Sequence, residues 1–236
     1  MKNSLDYQKE YDRDYYEKFL GSQNAEKDGN FSYFWQLIVR EKKQIGSVCD
    51  VGCGKGGFLR ICKEEGVSDL NGVDVSKYAL NVARKVGGAK LYPVNLERVK
   101  LPFGDRKFDL VAAIDIVEHV KNSDNLFSEM FRVLKKGGLL FVTTENTGSL
   151  FSFMFSPFFK SHTGHINLQS EREWIKIFEK HGFSKIKSRG IVLHGFPPLL
   201  NFRNLLRKVK IPVIARPIVF PARTLTGTLV ISATKA

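Results

Sequence analysis

One stretch constrains this chain more than any other. Val48–Phe58 reads V-C-D-V-G-C-G-K-G-G-F. Val48 to Val51 form a short apolar run around one acid, Asp50, and read as a buried strand. Gly52, Gly54, Gly56 and Gly57 then crowd into a turn. Beyond it, Phe58, Leu59, Ile61 and Cys62 are spaced like the buried face of a helix. Strand, glycine turn and helix, in that order, hold a nucleotide-like ligand in an open α/β sheet. The glycines let the backbone turn sharply and approach the ligand, and the helix N-terminus offers free N–H groups.

The segments that follow extend the pattern. Asp69–Val75 reads as a second strand, followed by a helix from Ser76 to about Val86 with Ser76 as its N-cap. Asp74 ends that strand about twenty residues past the turn, where a carboxylate can accept from a ribose diol. Capping the next helix is its other reading. Lys90–Val94 predicts a third strand, leading to Asn95 and Leu96. Asp109–Ile114 predicts a fourth. A helix from about Asn122 to Lys135 leads to K-K-G-G at 135–138, and Leu139–Thr144 predicts a fifth strand. Strands alternating with helices argue for a parallel, doubly wound sheet.

Before the first strand, residues 1–44 read as a helical, aromatic-rich N-terminal cap. Tyr7, Tyr11, Tyr15 and Phe19 recur every fourth residue, which puts them on one helix face. After a polar break at Gly21–Asn30, Phe31, Phe34, Trp35, Ile38 and Val39 make a second amphipathic stretch. The remaining residues, 45–236, suit one domain with a full core.

Charge narrows the partners. The net charge is +13, yet no Asp or Glu follows Glu179, and eleven Lys/Arg do. That asymmetry suggests an anionic partner (a membrane surface, a nucleic acid or an acidic substrate) or a solvated face that aids solubility. Cys49, Cys53 and Cys62 have neither zinc-site nor disulfide spacing and read as free thiols of a reducing cytoplasm. The N-terminus, MKNSLDYQKEYDRDYY, is polar and charged, so no signal peptide is expected. The most apolar stretch, Ser149–Phe159, is far short of the roughly 20 residues of a membrane span.

D-V-G-C-G-K-G, G-V-D-V, L-P-F-x-D-x-x-F-D-L-V, E-H-V and V-L-K-K-G-G-L-L, in this order, resemble a class I S-adenosylmethionine-dependent methyltransferase. The resemblance is strong over about residues 45–147. It implies a Rossmann-like, seven-stranded, mostly parallel α/β sheet with an antiparallel last strand. Phe183–Leu193 would be strand six and Gly227–Thr234 strand seven. It also implies S-adenosyl-L-methionine as cofactor. Asp50, Gly52 and Gly54 match the positions that hold its methionine end. Asp74 matches the grip on the ribose hydroxyls, Val75 the adenine wall, and Asn95 and Leu96 the adenine edge. The family usually has Asp at position 95; Asn95 can accept from the adenine amino group through its amide oxygen, without charge assistance. Ile114 matches the backbone position over the cofactor's amino-acid end.

Among subfamilies, the ubiquinone-biosynthesis O-methyltransferases are nearest. They share E-H-V and a His between strand five and the next helix. Here that segment is H-T-G-H-I-N-L-Q-S, and His165 matches best, with His162 as its competitor. A neutral imidazole there can take a proton from a phenol. The alternative is a His that only holds the loop. Asp115, Glu118 and His119 resemble a cluster that binds a divalent metal in that group. The other reading is acids at a helix start, which suit the dipole without metal.

Residues 150–170, rich in Phe, read as a lid segment. Residues 196–226 form a basic, apolar insertion. Leu199, Phe202, Leu205, Leu206 and Val209 line one face, with Arg203, Arg207, Lys208 and Lys210 elsewhere. Such a stripe can lie on an anionic membrane, line a pocket for an apolar acidic substrate, or pack on the sheet. The expected enzyme methylates a small, apolar, quinone- or lipid-like molecule at oxygen, in the cytoplasm or at its membrane face. The alternatives are an RNA or protein methyltransferase steered by the basic region, and an inactive cofactor-binding subunit. No RNA-binding module is added to favour nucleic acid.

Overall fold

The computed structural model describes residues 13–18, 24–97, 100–147, 166–192, 218–220 and 228–236. His162, His165, the 150–165 part of the lid and most of the 196–226 insertion lie outside the described residues. Two helices, α1 (Arg13–Lys18) and α2 (Asn24–Glu41), precede the sheet. The helix–strand alternation then runs β1 (Ser47–Val51), α3 (Gly57–Glu64), β2 (Asp69–Asp74), α4 (Lys77–Ala83) and β3 (Ala89–Pro93). It continues with β4 (Phe108–Ile114), α5 (Ser123–Val133), β5 (Leu134–Glu145), α6 (Glu171–Lys180), β6 (Phe183–Val192), β7 (Ile218–Phe220) and β8 (Thr228–Lys235).

The sheet order is β3-β2-β1-β4-β5-β8-β6-β7. β1 to β5 pair in parallel, and β8 enters antiparallel between β5 and β6. This is the expected doubly wound sheet with its antiparallel last strand. One short strand is added: β7, from the predicted insertion, pairs with Gly190–Val192 at the outer edge of β6. It satisfies backbone groups that an edge strand would otherwise present unpaired.

Alternating residues feed two cores, because successive strand side chains point to opposite faces. Cys49, Val111, Leu140 and Ile231 pack with Phe127, Met130, Trp174 and Phe178 of α5 and α6. Val48, Leu110, Phe141 and Val230 pack with Phe34, Trp35, Ile38, Phe58 and Leu80 of α2, α3 and α4. The aromatic stretch predicted at 31–39 is therefore the core face of α2. That helix begins at Asn24, inside the expected polar break, since propagation costs little once a packed turn exists. A Cβ on Gly57 would fall 2.4 Å from Phe31 Cε2, so α2 reaches the start of α3 only over a glycine.

Other boundaries moved for local reasons. Ser76 caps α4 as predicted, its Oγ accepting from the Ala79 N–H at 3.2 Å. The predicted helix to Lys135 ends at Val133 instead. Leu134 already pairs with Phe108, and the next ladder partner of β5, Leu139, pairs with Leu110. Lys135–Gly138 is thus a bulge within β5, turned by Gly137 at φ 69°. No helix among the described residues is long and apolar enough to cross a membrane.

Candidate functional site

The strand order reverses between β1 and β4, and their C-terminal ends open a crevice there. In open α/β sheets this is where ligands bind. The glycine turn forms one wall. Gly52, Gly54 and Gly56 all have left-handed backbones, at φ 75°, 50° and 81°. The Gly52 and Cys53 N–H groups donate to the Val73 carbonyl at 2.8 and 3.0 Å, which ties the turn to β2. A Cβ on Gly52 would lie 2.6 Å from Ile116, so the turn and the loop after β4 meet only because that side chain is absent. Gly56 precedes α3, and no side chain caps that helix.

Asp50 and Asp74 are the charged centre. Asp74 is buried and holds two backbone donors at 2.8 Å: Gly54 N–H on Oδ2 and Ser76 N–H on Oδ1. One carboxylate thus shapes both the glycine turn and the start of α4. Burial still raises its pKa, the hydrogen bonds opposing. Asp50 is 3% exposed. Burial, with the negative charge of Asp74 added, pushes its carboxyl up to about 8. Two carboxylates sharing a desolvated wall favour a cationic ligand.

The other expected positions line the same end of the sheet. Val75 follows β2, half-buried, and Leu96 is buried after β3. Asn95 differs from the expectation in its chemistry. Its Oδ1 already accepts from the Glu97 N–H at 3.0 Å. Its Nδ2 is buried with no hydrogen-bond partner among the described residues. The side chain thus offers a donor where the sequence suggested an acceptor, and an orphaned buried amide fits a heteroaromatic ring nitrogen. Ile114 ends β4 and pairs with Thr143 of β5.

Beyond Ile114, Asp115 takes a left-handed backbone at φ 51°. Its N–H donates to the carbonyl and Oγ1 of Thr143 at 3.1 and 3.0 Å, and Thr143 Oγ1 donates back to Oδ1 at 2.6 Å. Glu118 is buried; burial and the nearby Asp115 hold its carboxyl well above the usual range, and Oε2 has no hydrogen-bond partner among the described residues. His119 sits in the same tight turn, its N–H on the Ile116 carbonyl. Among the described residues, no group of three or more His, Cys, Asp or Glu side chains is arranged to hold a metal ion. The turn is anchored elsewhere: the Ile166 and Asn167 N–H groups both donate to the Glu118 carbonyl at 3.0 Å. Ile166 and Leu168 beside it are the exposed large hydrophobics of the described residues.

Two residues escaped sequence reasoning. Thr143 could have been found from the β4–β5 register once strand pairing was assumed. Tyr16 could not: it lies one position off the 7-11-15-19 stripe, yet it is buried with its hydroxyl 3.5 Å from both oxygens of Asp74. Lys55 of the glycine turn donates to the Tyr16 carbonyl at 3.2 Å.

Comparison with known proteins is consistent with this geometry. A family model described as a methyltransferase domain matches residues 9–188. The chain is 36% identical over 97 residues to a sterol 24-C-methyltransferase of Gibberella zeae, covering 39% of this chain and 26% of that protein. It is 26% identical over 179 residues to ajmaline N-methyltransferase of Rauvolfia serpentina, covering 73% and 54%. The chain thus spans about a quarter to a half of these curated relatives. Among solved structures, a possible histamine N-methyltransferase from Thermotoga maritima superposes with a TM-score of 0.65 at 22% identity, over 94% of this chain and 98% of that one. Phosphoethanolamine N-methyltransferase 2 of Haemonchus contortus, in complex with S-adenosyl-L-methionine, gives 0.63 at 20%, over 94% and 59%.

Proposed function

Because this chain belongs to the methyltransferase domain family, we propose that it transfers the methyl group of S-adenosylmethionine to a small, apolar, quinone- or lipid-like acceptor. The observation that carries the reading is the pair of buried carboxyls, Asp50 and Asp74, around a glycine turn at the switch point of the sheet. Asp74 would hold the ribose, Val75, Asn95 and Leu96 the adenine, and Asp50 with the glycine turn the cationic amino-acid end. When bound, the cofactor supplies an electrophilic methyl group on a sulfonium, already a good leaving group. The protein's own residues then need to align the acceptor, exclude water and take up a proton.

The acceptor class rests on two supports. The exposed Ile166 and Leu168 offer apolar surface beside the Asp115–Glu118 turn. The sterol methyltransferase relative points the same way by its name. His165 is assigned as the base for an oxygen nucleophile. It directly precedes Ile166, which is tied to the Glu118 carbonyl at the rim of the crevice. The basic insertion at 196–226 is assigned to contact with an anionic membrane, where such an acceptor would partition.

The test is a radiolabel partition. The protein is incubated with methyl-labelled S-adenosylmethionine and cell extract, and lipid, small-metabolite, RNA and protein fractions are separated. Label in the lipid fraction, reduced by His165→Ala, is the expected result. Label in RNA or protein would move the function to a macromolecular substrate read by the basic C-terminal quarter. Cofactor binding without transfer to any fraction would make the chain a binding subunit.

A further inference from the structure

We propose that the Tyr16 phenol and the ribose diol of the cofactor are alternative occupants of the Asp74 carboxylate, so that α1 is a strap across the glycine turn that cofactor binding releases. The inference rests on the ribose placement proposed above.

The geometry around Asp74 carries it. The carboxylate has two firm partners, the Gly54 and Ser76 N–H groups, one on each oxygen at 2.8 Å. Tyr16 adds a third, but a poor one. Its hydroxyl stands 3.5 Å from Oδ1 and 3.5 Å from Oδ2, well beyond the usual range of about 2.5–3.0 Å for an O–H···O bond. A phenol has one proton to donate, so it shares that proton between two acceptors. A vicinal diol has two, and can give each oxygen its own short, charge-assisted bond. One long shared contact is thus set against two short ones on the same atoms. Both cannot be made at full strength.

The ring also stands where a ligand on the turn would lie. Tyr16 Cε1 comes within 3.6 Å of the position a Cβ on Gly54 would take. Two further contacts of Tyr16 fall on the glycine turn and on α4, outside the strands. Lys55 Nζ donates to the Tyr16 carbonyl at 3.2 Å and lies 5.8 Å from the ring centroid. Tyr78 at the start of α4 faces the ring at 6.3 Å between centroids, tilted by 45°. These contacts gather at one edge of the turn, so their release is a local opening and not a global one.

The test uses S-adenosylhomocysteine as the probe, with binding followed by calorimetry and exchange of the 13–18 peptide by hydrogen–deuterium mass spectrometry. Tyr16→Phe keeps the ring and deletes the competing proton. It should bind the probe about three- to tenfold more tightly, the size of one ordinary hydrogen bond. That gain should shrink with the 2′-deoxy form of the probe, which presents one donor in place of two. In the wild-type protein, the 13–18 peptide should exchange faster when the probe is added. Unchanged or weaker binding by Tyr16→Phe, or slower exchange of 13–18 on binding, would overturn the strap. The exchange experiment needs no substitution, so it decides the matter even if Tyr16→Phe folds poorly. Asp74→Asn separates this inference from its premise. Binding weakened by at least about thirtyfold upholds the ribose placement, whereas binding at wild-type strength overturns the placement and the strap together.

Discussion

At the scale of single residues, the site is held by backbone that most side chains would spoil. Gly52 combines φ 75° with a Cβ position 2.6 Å from Ile116. Gly52→Ala should therefore lose about 2–3 kcal/mol of stability, from left-handed strain and overpacking together. It should also weaken cofactor binding; chemical denaturation and calorimetry would measure the two. Asp50 makes a prediction in pH. Its folded carboxyl is raised from 3.8 to about 8. The folded chain then keeps a proton that the unfolded chain has lost. Asp50 therefore costs stability progressively as pH rises from about 4 to about 8, and the cost levels off above that. Asp50→Asn cannot ionise. Its stability relative to wild type should climb across that window in denaturant titrations at stepped pH, and a constant difference would count against the assignment. Asp74, which ends β2, and Asp50, one residue before the end of β1, were legible in the sequence as acids at a fixed distance from the glycines. The unpaired Nδ2 of Asn95 was not legible, since it depends on where the Glu97 N–H points.

At the scale of elements, one side chain ties a whole segment to its neighbour. Arg132 near the end of α5 donates to the carbonyls of Leu101 and Phe103 at 3.1 and 2.8 Å. It also donates to Asp105 and, through two nitrogens, to Glu129, each at 2.7 Å. Glu129 in turn accepts from the Leu101 N–H at 2.6 Å. This network fixes the L-P-F-G-D-R-K-F segment that leads into β4. Arg132→Met keeps the stem and removes the fork, leaving a buried carboxylate without its partner. The expected loss is about 2–4 kcal/mol, read as a lower urea midpoint with an unchanged slope. The elements were largely legible: β1, β2, β3 and β4 fall within about two residues of their predicted bounds, because hydrophobic runs and caps are local signals, and β6 and β8 do so because the family resemblance implied a closing hairpin. The bulge in β5 and the added strand β7 were not, because each is created by a partner strand remote in sequence. Tyr16, 58 residues from Asp74, fails for the same reason.

At the scale of the whole molecule, the ligand groups proposed above come from four strand ends, so binding should stiffen the C-terminal edge of the sheet while α1 opens. A ligand that binds only the folded chain stabilises it by mass action, by about 2.7 kcal/mol at a hundredfold excess over its Kd. S-adenosylhomocysteine should raise the melting temperature in proportion to the logarithm of its concentration, and Asp74→Asn should move that thermal-unfolding titration to at least about thirtyfold higher concentration. The sheet order was legible as a class, since only a doubly wound sheet accommodates those alternating segments around a glycine turn. The three cysteines have a practical consequence of another kind. They are the only thiols of the chain; all are buried, and burial raises the pKa of each. A maleimide at neutral pH should leave the native protein unlabelled. Lys136, exposed on the bulge that opens β5 and so at the opposite pole from the glycine turn, could then be changed to cysteine to carry a single dye or spin label. With a second cysteine at an exposed position of α1, distance spectroscopy could follow the cap from that fixed point without background.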